Sequence, residues 1–179
     1  MGHSGDAKDG DEEQMDSSSS SRFRPLFLIG EYDVLLDEKH RLLIPSDYRK
    51  EITEARDEKV LICTVGRNKV ARLFPENLYR ELLARRRTTV ATGEAEERFR
   101  EAYLGMVFRL PWDQQGRVVV PEKIISRTGL GRSLTLVGNG DYLEVWNREA
   151  WEQRAQELIA GLAEISDQQD DAPPGPQPQ

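Results

Sequence analysis

Two short segments of the chain carry the same charged pattern, an Asp followed four residues later by an Arg. They run from Asp37 to Arg41 and from Asp113 to Arg117. The guanidinium of Arg is a planar fork of N–H donors that fits phosphate oxygens or, in the major groove of DNA, O6 and N7 of guanine. An Asp that opens a turn accepts hydrogen bonds from backbone N–H groups two or more residues later. We therefore expect each Asp to brace the loop that presents its Arg.

An aliphatic run and a Pro follow the Arg in both copies, as Leu42 to Pro45 and as Val118 to Pro121. Such runs, uninterrupted by polar residues, are typical of strands buried on both faces. The Pro then ends the strand and presets the backbone for the first turn of a helix. Each copy thus predicts a hairpin followed by a helix. Because an isolated two-stranded hairpin is marginal in water, we expect the two copies to pack on each other.

The rest of the chain predicts the same order of elements in both halves. Second hairpins are expected at 60–74 and 134–146, where Gly-rich or Asn-containing turns separate the strands. The predicted helices are a short one capped by Ser46, one that starts at Pro75, one over 94–104, one that ends at Gly129, and one capped by Asn147.

The acidity of the chain lies in its two ends. The formal net charge is −7, which by itself disfavours a nucleic-acid partner. Residues 1–21 hold six acids and one Lys, and residues 164–179 hold four acids and no base, which leaves 22 acids against 24 Lys and Arg between them. Both ends are low in complexity and are predicted to be disordered. The part predicted to fold is therefore slightly basic.

Several classes of protein are disfavoured by composition. One Cys excludes a disulfide framework, and with only two His it gives no metal-ligand spacing. No apolar run is long enough for a membrane span or resembles a signal peptide. We expect a cytoplasmic protein with no metal, no cofactor and no small-molecule substrate.

The motifs occur in a specific order, and the set covers roughly residues 27–160: Gly30-Glu31-Tyr32, Asp37 to Pro45, Leu104-Gly105, Asp113 to Pro121, Leu134 to Gly138, and Glu144-Val145-Trp146. In this order and at this spacing the chain resembles the MraZ family of bacterial transcriptional regulators. The resemblance implies an α+β fold in which two tandem AbrB/SpoVT-like swapped-hairpin modules form a pseudo-dimeric β-barrel with peripheral helices. The implied organisation is a tail at 1–26, module 1 at 30–77, linking helices at 78–105, module 2 at 106–149, a C-terminal helix at 150–163 and a tail at 164–179.

The resemblance also implies a function. It predicts a nucleoid-associated homo-oligomeric ring that binds double-stranded DNA at short promoter repeats, usually those of its own division and cell-wall gene cluster. By motif position Arg41 and Arg117 are the primary DNA contacts, and Lys39 and Gln115 could add a phosphate or base-edge contact. Gly116 shapes the second turn.

His40 stands where the family has Gly. If that position has a positive φ, a residue other than Gly costs roughly 1 kcal/mol, although His tolerates this conformation better than most residues. Trp112, just before the second turn, is expected either to pack on the neighbouring arm or to lie on a sugar-phosphate backbone.

Other interpretations remain open. Each Arg could serve only to brace its own turn through Asp37 or Asp113. An enzyme with an Asp dyad would need both acids in one buried site, whereas these lie in polar turns beside cations, so no catalytic residue is predicted. Three consecutive Arg at 85–87 suit a helix C-terminus or a subunit contact better than DNA. The main alternative is an AbrB-fold ring scaffold that acts by protein–protein interaction and has weakened DNA binding.

Overall fold

The protein is built from strands and helices that follow the same order in its two halves. The computed structural model describes residues 25–56, 58–87 and 93–170. The first half contains β1 (Glu31–Leu35), β2 (Arg41–Leu43), α1 (Ser46–Arg56), β3 (Val60–Val65), β4 (Ala71–Pro75) and α2 (Glu76–Arg87). After α3 (Glu94–Arg100), the second half contains β5 (Phe108–Pro111), β6 (Arg117–Val119), α4 (Glu122–Thr128), β7 (Ser133–Gly138), β8 (Leu143–Asn147) and α5 (Arg148–Asp170).

The strands form one six-stranded antiparallel sheet in the order β1-β7-β8-β4-β3-β5 and a separate two-stranded ribbon of β2 and β6. Pairing crosses the two halves: β1 lies on β7, β5 lies on β3, and β2 lies on β6. The prediction that the copies pack on each other is confirmed.

The predicted closed barrel is wrong for the described residues, because the sheet is open. The segments on either side of the first turn, which contain β1 and β2, are joined only by a single β-bridge between Leu36 and Leu42. The ribbon therefore lies against the sheet without joining its hydrogen-bond ladder.

One hydrophobic core receives side chains from both halves. Leu42 and Ile44 from the first copy and Val118 and Val120 from the second are buried in the same cluster. Between them, Val119 is 57% exposed, and Leu43 in the first copy is 47% exposed. The expectation of strands buried on both faces is wrong here, because the ribbon covers the core with one face and no described element covers the other.

Helix ends follow the predictions in part. Gly129 ends α4 in the left-handed conformation, with φ 70° and its N–H bonded to the carbonyl of Ile125, as predicted. Asn147 stands directly before α5, at the position predicted for its cap. It ends β8, and its side-chain amide accepts a hydrogen bond from the N–H of Gly131 and donates one to the carbonyl of Gly129. The side chain is used to hold the loop before β7, a role that depends on the tertiary fold.

Two predicted helices have different lengths in the structure. The helix expected over 94–104 is α3 followed by a π-helical turn at Glu101–Gly105. α5 continues through Asp170, beyond the range 150–163 and into the segment predicted to be a tail. The rest of the predicted tails, 1–24 and 171–179, and the Thr-rich segment 88–92 lie outside the described residues.

Candidate nucleic-acid interface

The first Arg turn, Asp37 to Arg41, is organised around one carboxylate. Oδ1 of Asp37 accepts hydrogen bonds from the backbone N–H groups of Lys39 and Arg41, both at 2.8 Å. Oδ2 accepts one from Nε of Arg41 at 2.6 Å. The backbone closes the turn, since the N–H of His40 donates to the carbonyl of Asp37 at 2.9 Å. The Asp thus holds both the loop and the guanidinium.

The second Arg turn, Asp113 to Arg117, repeats this arrangement. Oδ1 of Asp113 accepts hydrogen bonds from the N–H groups of Gln115 and Arg117, at 2.8 and 3.0 Å. Oδ2 accepts from both Nε and Nη2 of Arg117, at 2.9 and 2.7 Å. The N–H of Gly116 closes the turn on the carbonyl of Asp113 at 2.9 Å. Both turns therefore have the bracing geometry that the spacing predicts.

These hydrogen bonds favour the ionised form of both carboxyl groups. The backbone N–H of Arg41 is the largest cause that lowers the pKa of Asp37 below its ordinary value. The backbone N–H of Arg117, followed by its guanidinium, lowers the pKa of Asp113 to about 2. An acid that shares a proton in a catalytic dyad needs a raised pKa. The electrostatics of the turns therefore suit Arg presentation and not acid catalysis.

The ribbon brings the two turns together. Arg41 pairs with Val119 and Leu43 pairs with Arg117, so these four side chains share one face. The Arg side chains on it are 34% and 29% exposed. Reciprocal hydrogen bonds of 2.9 and 2.8 Å, from Ile44 N–H to the Gly116 carbonyl and from Val120 N–H to the His40 carbonyl, lock the strands. We call this surface the ribbon face.

Lys39 and Gln115 occupy matching positions in the two turns, and both are exposed. Their backbone N–H groups donate to the Asp carboxylates, and their exposed side chains make no hydrogen bond or ion pair within the described residues. Either side chain is therefore available to a partner of the ribbon face.

Both turns need a positive φ at the residue before the Arg, which is 56° at His40 and 79° at Gly116. The sequence analysis considered a positive φ at His40, and His40 adopts this conformation in the structure. At Gly116 a side chain meets a second obstacle, because a Cβ would overlap the guanidinium of Arg49.

Arg49 is a site residue that the sequence analysis missed. It follows Pro45 by four residues on α1, and its Nε donates to the carbonyl of Ile44 at 3.0 Å. Ile125 follows Pro121 at the same distance on α4. A comparison of the two repeats at this position would have drawn attention to a cation in one copy and an aliphatic residue in the other.

Other predicted features lie away from the ribbon face. Arg86 donates from Nη1 to the hydroxyl of Tyr103 at 2.9 Å and lies 5.2 Å from its ring centroid. Among the described residues, no cluster of three or more His, Cys, Asp or Glu is placed to hold a metal ion. No helix within them has the length and apolar composition to cross a membrane.

Comparison with known proteins identifies the family. A family model described as "MraZ protein, putative antitoxin-like" matches residues 27–100 and 108–172. The chain belongs to the MraZ family. Curated relatives named transcriptional regulator MraZ include that of Kocuria rhizophila, 29% identical over 141 residues, which are 78% of this chain and 94% of the relative. The MraZ regulators of Micrococcus luteus and Leifsonia xyli subsp. xyli are each 30% identical, with the same coverage.

The family defines the broad role of the chain. MraZ proteins are transcriptional regulators, so this chain belongs to a family of DNA-binding regulators and not to a family of enzymes. The matched ranges contain both Arg turns and the whole ribbon.

Proposed function

We propose that the protein is a sequence-specific DNA-binding regulator that contacts double-stranded DNA through the ribbon face and the two Arg turns. The observation that carries this proposal is the presence of two Asp-braced arginines on one exposed face of a two-stranded ribbon. A ribbon of this kind fits the major groove of B-DNA, which is about 12 Å wide.

The bracing leaves each Arg able to bind. Asp113 engages Nε and Nη2 of Arg117 on one edge of the guanidinium. The edge formed by Nη1 and Nη2 still carries N–H groups, and this edge makes a bidentate pair with O6 and N7 of guanine or with a phosphate. Because the Asp fixes the fork in advance, less side-chain entropy is lost on binding. Bracing and DNA contact are therefore compatible roles.

The remaining residues of the face complete the contact. Leu43 and Val119 each lie opposite an Arg and offer aliphatic surface to the methyl group of thymine. Lys39 and Gln115 reach phosphate or base edges from the loops. A charge-compensated Arg–Asp pair adds little to the overall attraction for DNA, so the ribbon face supplies recognition more than electrostatic affinity.

We propose that the chain is organised as two AbrB/SpoVT-like modules that exchange hairpins, with the boundaries 30–77 and 106–149. The cross-half pairing of β1 with β7 and of β5 with β3 supports this organisation. The proposed active form is a homo-oligomeric ring in the cytoplasm, associated with the nucleoid, which binds repeats in the promoter of its own division and cell-wall gene cluster. Multivalent binding to repeated boxes raises affinity through effective concentration. Exposed aliphatic residues on α5, Leu158 and Ile159, are available for contacts between subunits.

The test is binding of the purified protein to a labelled fragment from upstream of its own gene and to an unrelated fragment of equal length, over a series of salt concentrations. The proposal expects preference for the first fragment, weakening with salt, and loss of preference in Arg117→Ala. Arg41→Ala tests the first turn. If neither fragment is preferred and both substitutions leave binding unchanged, DNA recognition by the ribbon face is wrong, and the scaffold that acts by protein–protein interaction takes its place.

A further inference from the structure

A cavity of about 520 Å³ lies beside the second Arg turn, between the turn and α1. Its walls include Arg49, Lys50, Lys59 and Trp112, and we call it the basic groove. Asp113 also lines it, so the groove is continuous with the turn that presents Arg117.

The repeat places an equivalent cavity beside the first Arg turn, and that cavity is different. Its volume is about 240 Å³, and its walls include Leu36, Ile125 and Arg132. The backbone confirms that the two sites correspond. The N–H of Trp112 donates to the carbonyl of Lys59 at 3.1 Å, and the N–H of Leu36 donates to the carbonyl of Arg132 at 2.9 Å. We call the second cavity the apolar groove.

The corresponding positions differ in chemistry. Trp112 stands where the apolar groove has Leu36, Arg49 stands where it has Ile125, and Lys50 stands where it has Ser126. Only the pair Lys59 and Arg132 keeps a cation in both. The basic groove therefore has three cations in walls where its counterpart has one.

The cations of the basic groove are available to a ligand. Arg49 uses its Nε on the carbonyl of Ile44, and its Nη atoms make no hydrogen bond within the described residues. Lys50 is 3.9 Å from Glu54, and both side chains are more than half exposed, so this pair is weak. Lys59 is exposed and has no ion pair in the described part of the chain.

Two carboxylates also line the groove. Asp113 is occupied by Arg117, and Glu54 offsets one of the three cations, so a net positive charge remains. Trp112 packs one part of its ring against the core and stays partly exposed. Its indole N–H has no hydrogen-bond partner among the described residues. The groove thus offers three cations, an unused N–H donor and an aromatic surface.

We propose that the basic groove binds the sugar-phosphate backbone of the duplex that Arg117 contacts. Arg49, Lys50 and Lys59 hold phosphate oxygens, and Trp112 lies against the adjoining sugar. This inference rests on the proposed function, and it names the part of the surface that supplies electrostatic affinity. It makes the two arms unequal, since only the second arm has a phosphate-binding groove beside its Arg.

The decisive test is the salt dependence of DNA binding in Lys50→Gln/Lys59→Gln. Each phosphate contact that is lost reduces the steepness of the plot of log K against log salt concentration by about 0.9. At 0.1 M salt this corresponds to a loss of affinity on the order of tenfold. The expected loss is similar for the upstream fragment and for unrelated DNA, because phosphate contacts carry no sequence information. The matched control is Arg132→Gln in the apolar groove. This substitution is expected to change the slope by less than half of the change that one phosphate contact causes.

The outcomes separate this inference from the proposed function. If Arg117→Ala abolishes the preference for the upstream fragment while the double Lys variant keeps the wild-type slope, the groove proposal is wrong and DNA recognition stands. If Arg132→Gln lowers the slope as much as the double variant does, the asymmetry is wrong. If the wild-type protein binds neither fragment, both proposals fail.

Tryptophan fluorescence gives a second measurement that does not depend on charge. The emission of the wild-type protein is recorded with and without saturating duplex, and the same difference is recorded for Trp112→Phe. The proposal expects a change on binding that the Trp112→Phe protein lacks and that disappears at high salt. Equal changes in both proteins would show that Trp112 does not meet the DNA and would overturn its placement in the groove.

Discussion

The first and second Arg turns share their internal hydrogen bonds and differ in what surrounds them. In both, one carboxylate accepts two backbone N–H groups and the guanidinium. The first turn has His40 and packs beside Ile125, whereas the second has Gly116 and packs beside Arg49. The Asp brace is local and tolerates either residue at the positive-φ position. The arms differ within the turn at the positive-φ residue, and outside it chiefly through the helix of the opposite half, which supplies Arg49 to the second arm and Ile125 to the first.

The largest expected difference between the arms is in sequence preference. Arg117→Lys keeps the charge and loses the planar fork, so it is expected to reduce the preference for the upstream fragment by about 1–3 kcal/mol, or roughly five- to 150-fold. Affinity for unrelated DNA is expected to change little. Arg41→Lys is expected to act in the same direction with a smaller effect, since the first arm has no basic groove whose phosphate contacts would hold the bases in position against its Arg. The measurement is fluorescence anisotropy with both fragments.

Two results would break this comparison. Equal losses for the two substitutions would mean that the arms contribute equally despite their surroundings. A loss that is as large on unrelated DNA would mean that Arg117 acts as a simple charge.

The next difference concerns stability. Gly116→Ala places a Cβ at a positive φ and against the Arg49 guanidinium, and we expect it to lower the free energy of unfolding by about 1–3 kcal/mol. His40→Ala is expected to change it by less than about 0.5 kcal/mol, because a Cβ is already accommodated there. Urea denaturation measures both. Gly116→Ala in an Arg49→Ala background separates the two causes of this loss. The loss that comes from the clash with Arg49 should disappear in this background, and the loss that comes from the positive φ should remain.

His40→Gly sharpens the same comparison in the opposite direction. It relieves a left-handed residue that costs roughly 1 kcal/mol, but Gly also gains entropy in the unfolded chain. We expect a net increase in the free energy of unfolding of about 0.5 kcal/mol. A clear decrease would show that the imidazole makes a stabilising contact that the positive φ only partly offsets. The Gly116→His substitution is the reciprocal control, and it is expected to destabilise.

Most of what the sequence could predict was local. The spacing of Asp and Arg determines hydrogen bonds within five consecutive residues, so the Asp37 and Asp113 turns have the expected geometry. The Gly129 cap also depends on neighbouring residues only, and the pairing of β3 with β4 joins strands that are close in the sequence. The comparison of the two copies further predicted that they would pack on each other.

The features that could not be predicted depend on contacts between the halves. Leu43 and Val119 belong to aliphatic runs that indicate full burial, and they are exposed because the ribbon is the outermost layer. Arg49 belongs to an ordinary helix in the sequence, and its role arises because α1 crosses the turn of the other half. Asn147 has the composition of a helix cap, and the loop at Gly131 competes for its side chain.

The smallest expected difference is in the acid range. Hydrogen bonds lower the pKa of Asp113 from its ordinary value of 3.8 to about 2, and they lower that of Asp37 in the same direction. A carboxyl whose pKa is depressed in the folded state stabilises the protein above its unfolded value and loses that contribution as the pH falls through the folded value. Asp113→Asn should therefore flatten the decline in stability between about pH 3.8 and 2, measured by urea midpoints, and Asp37→Asn should do the same. Both effects are modest because the groups are exposed and screened.

If the stability of the Asn variants declines as steeply with falling pH as that of the wild type, the ionised carboxylates do not brace the turns. If the decline is flattened in only one of the two Asn variants, the carboxylate charge stabilises the turn of that variant, and backbone hydrogen bonds stabilise the other turn.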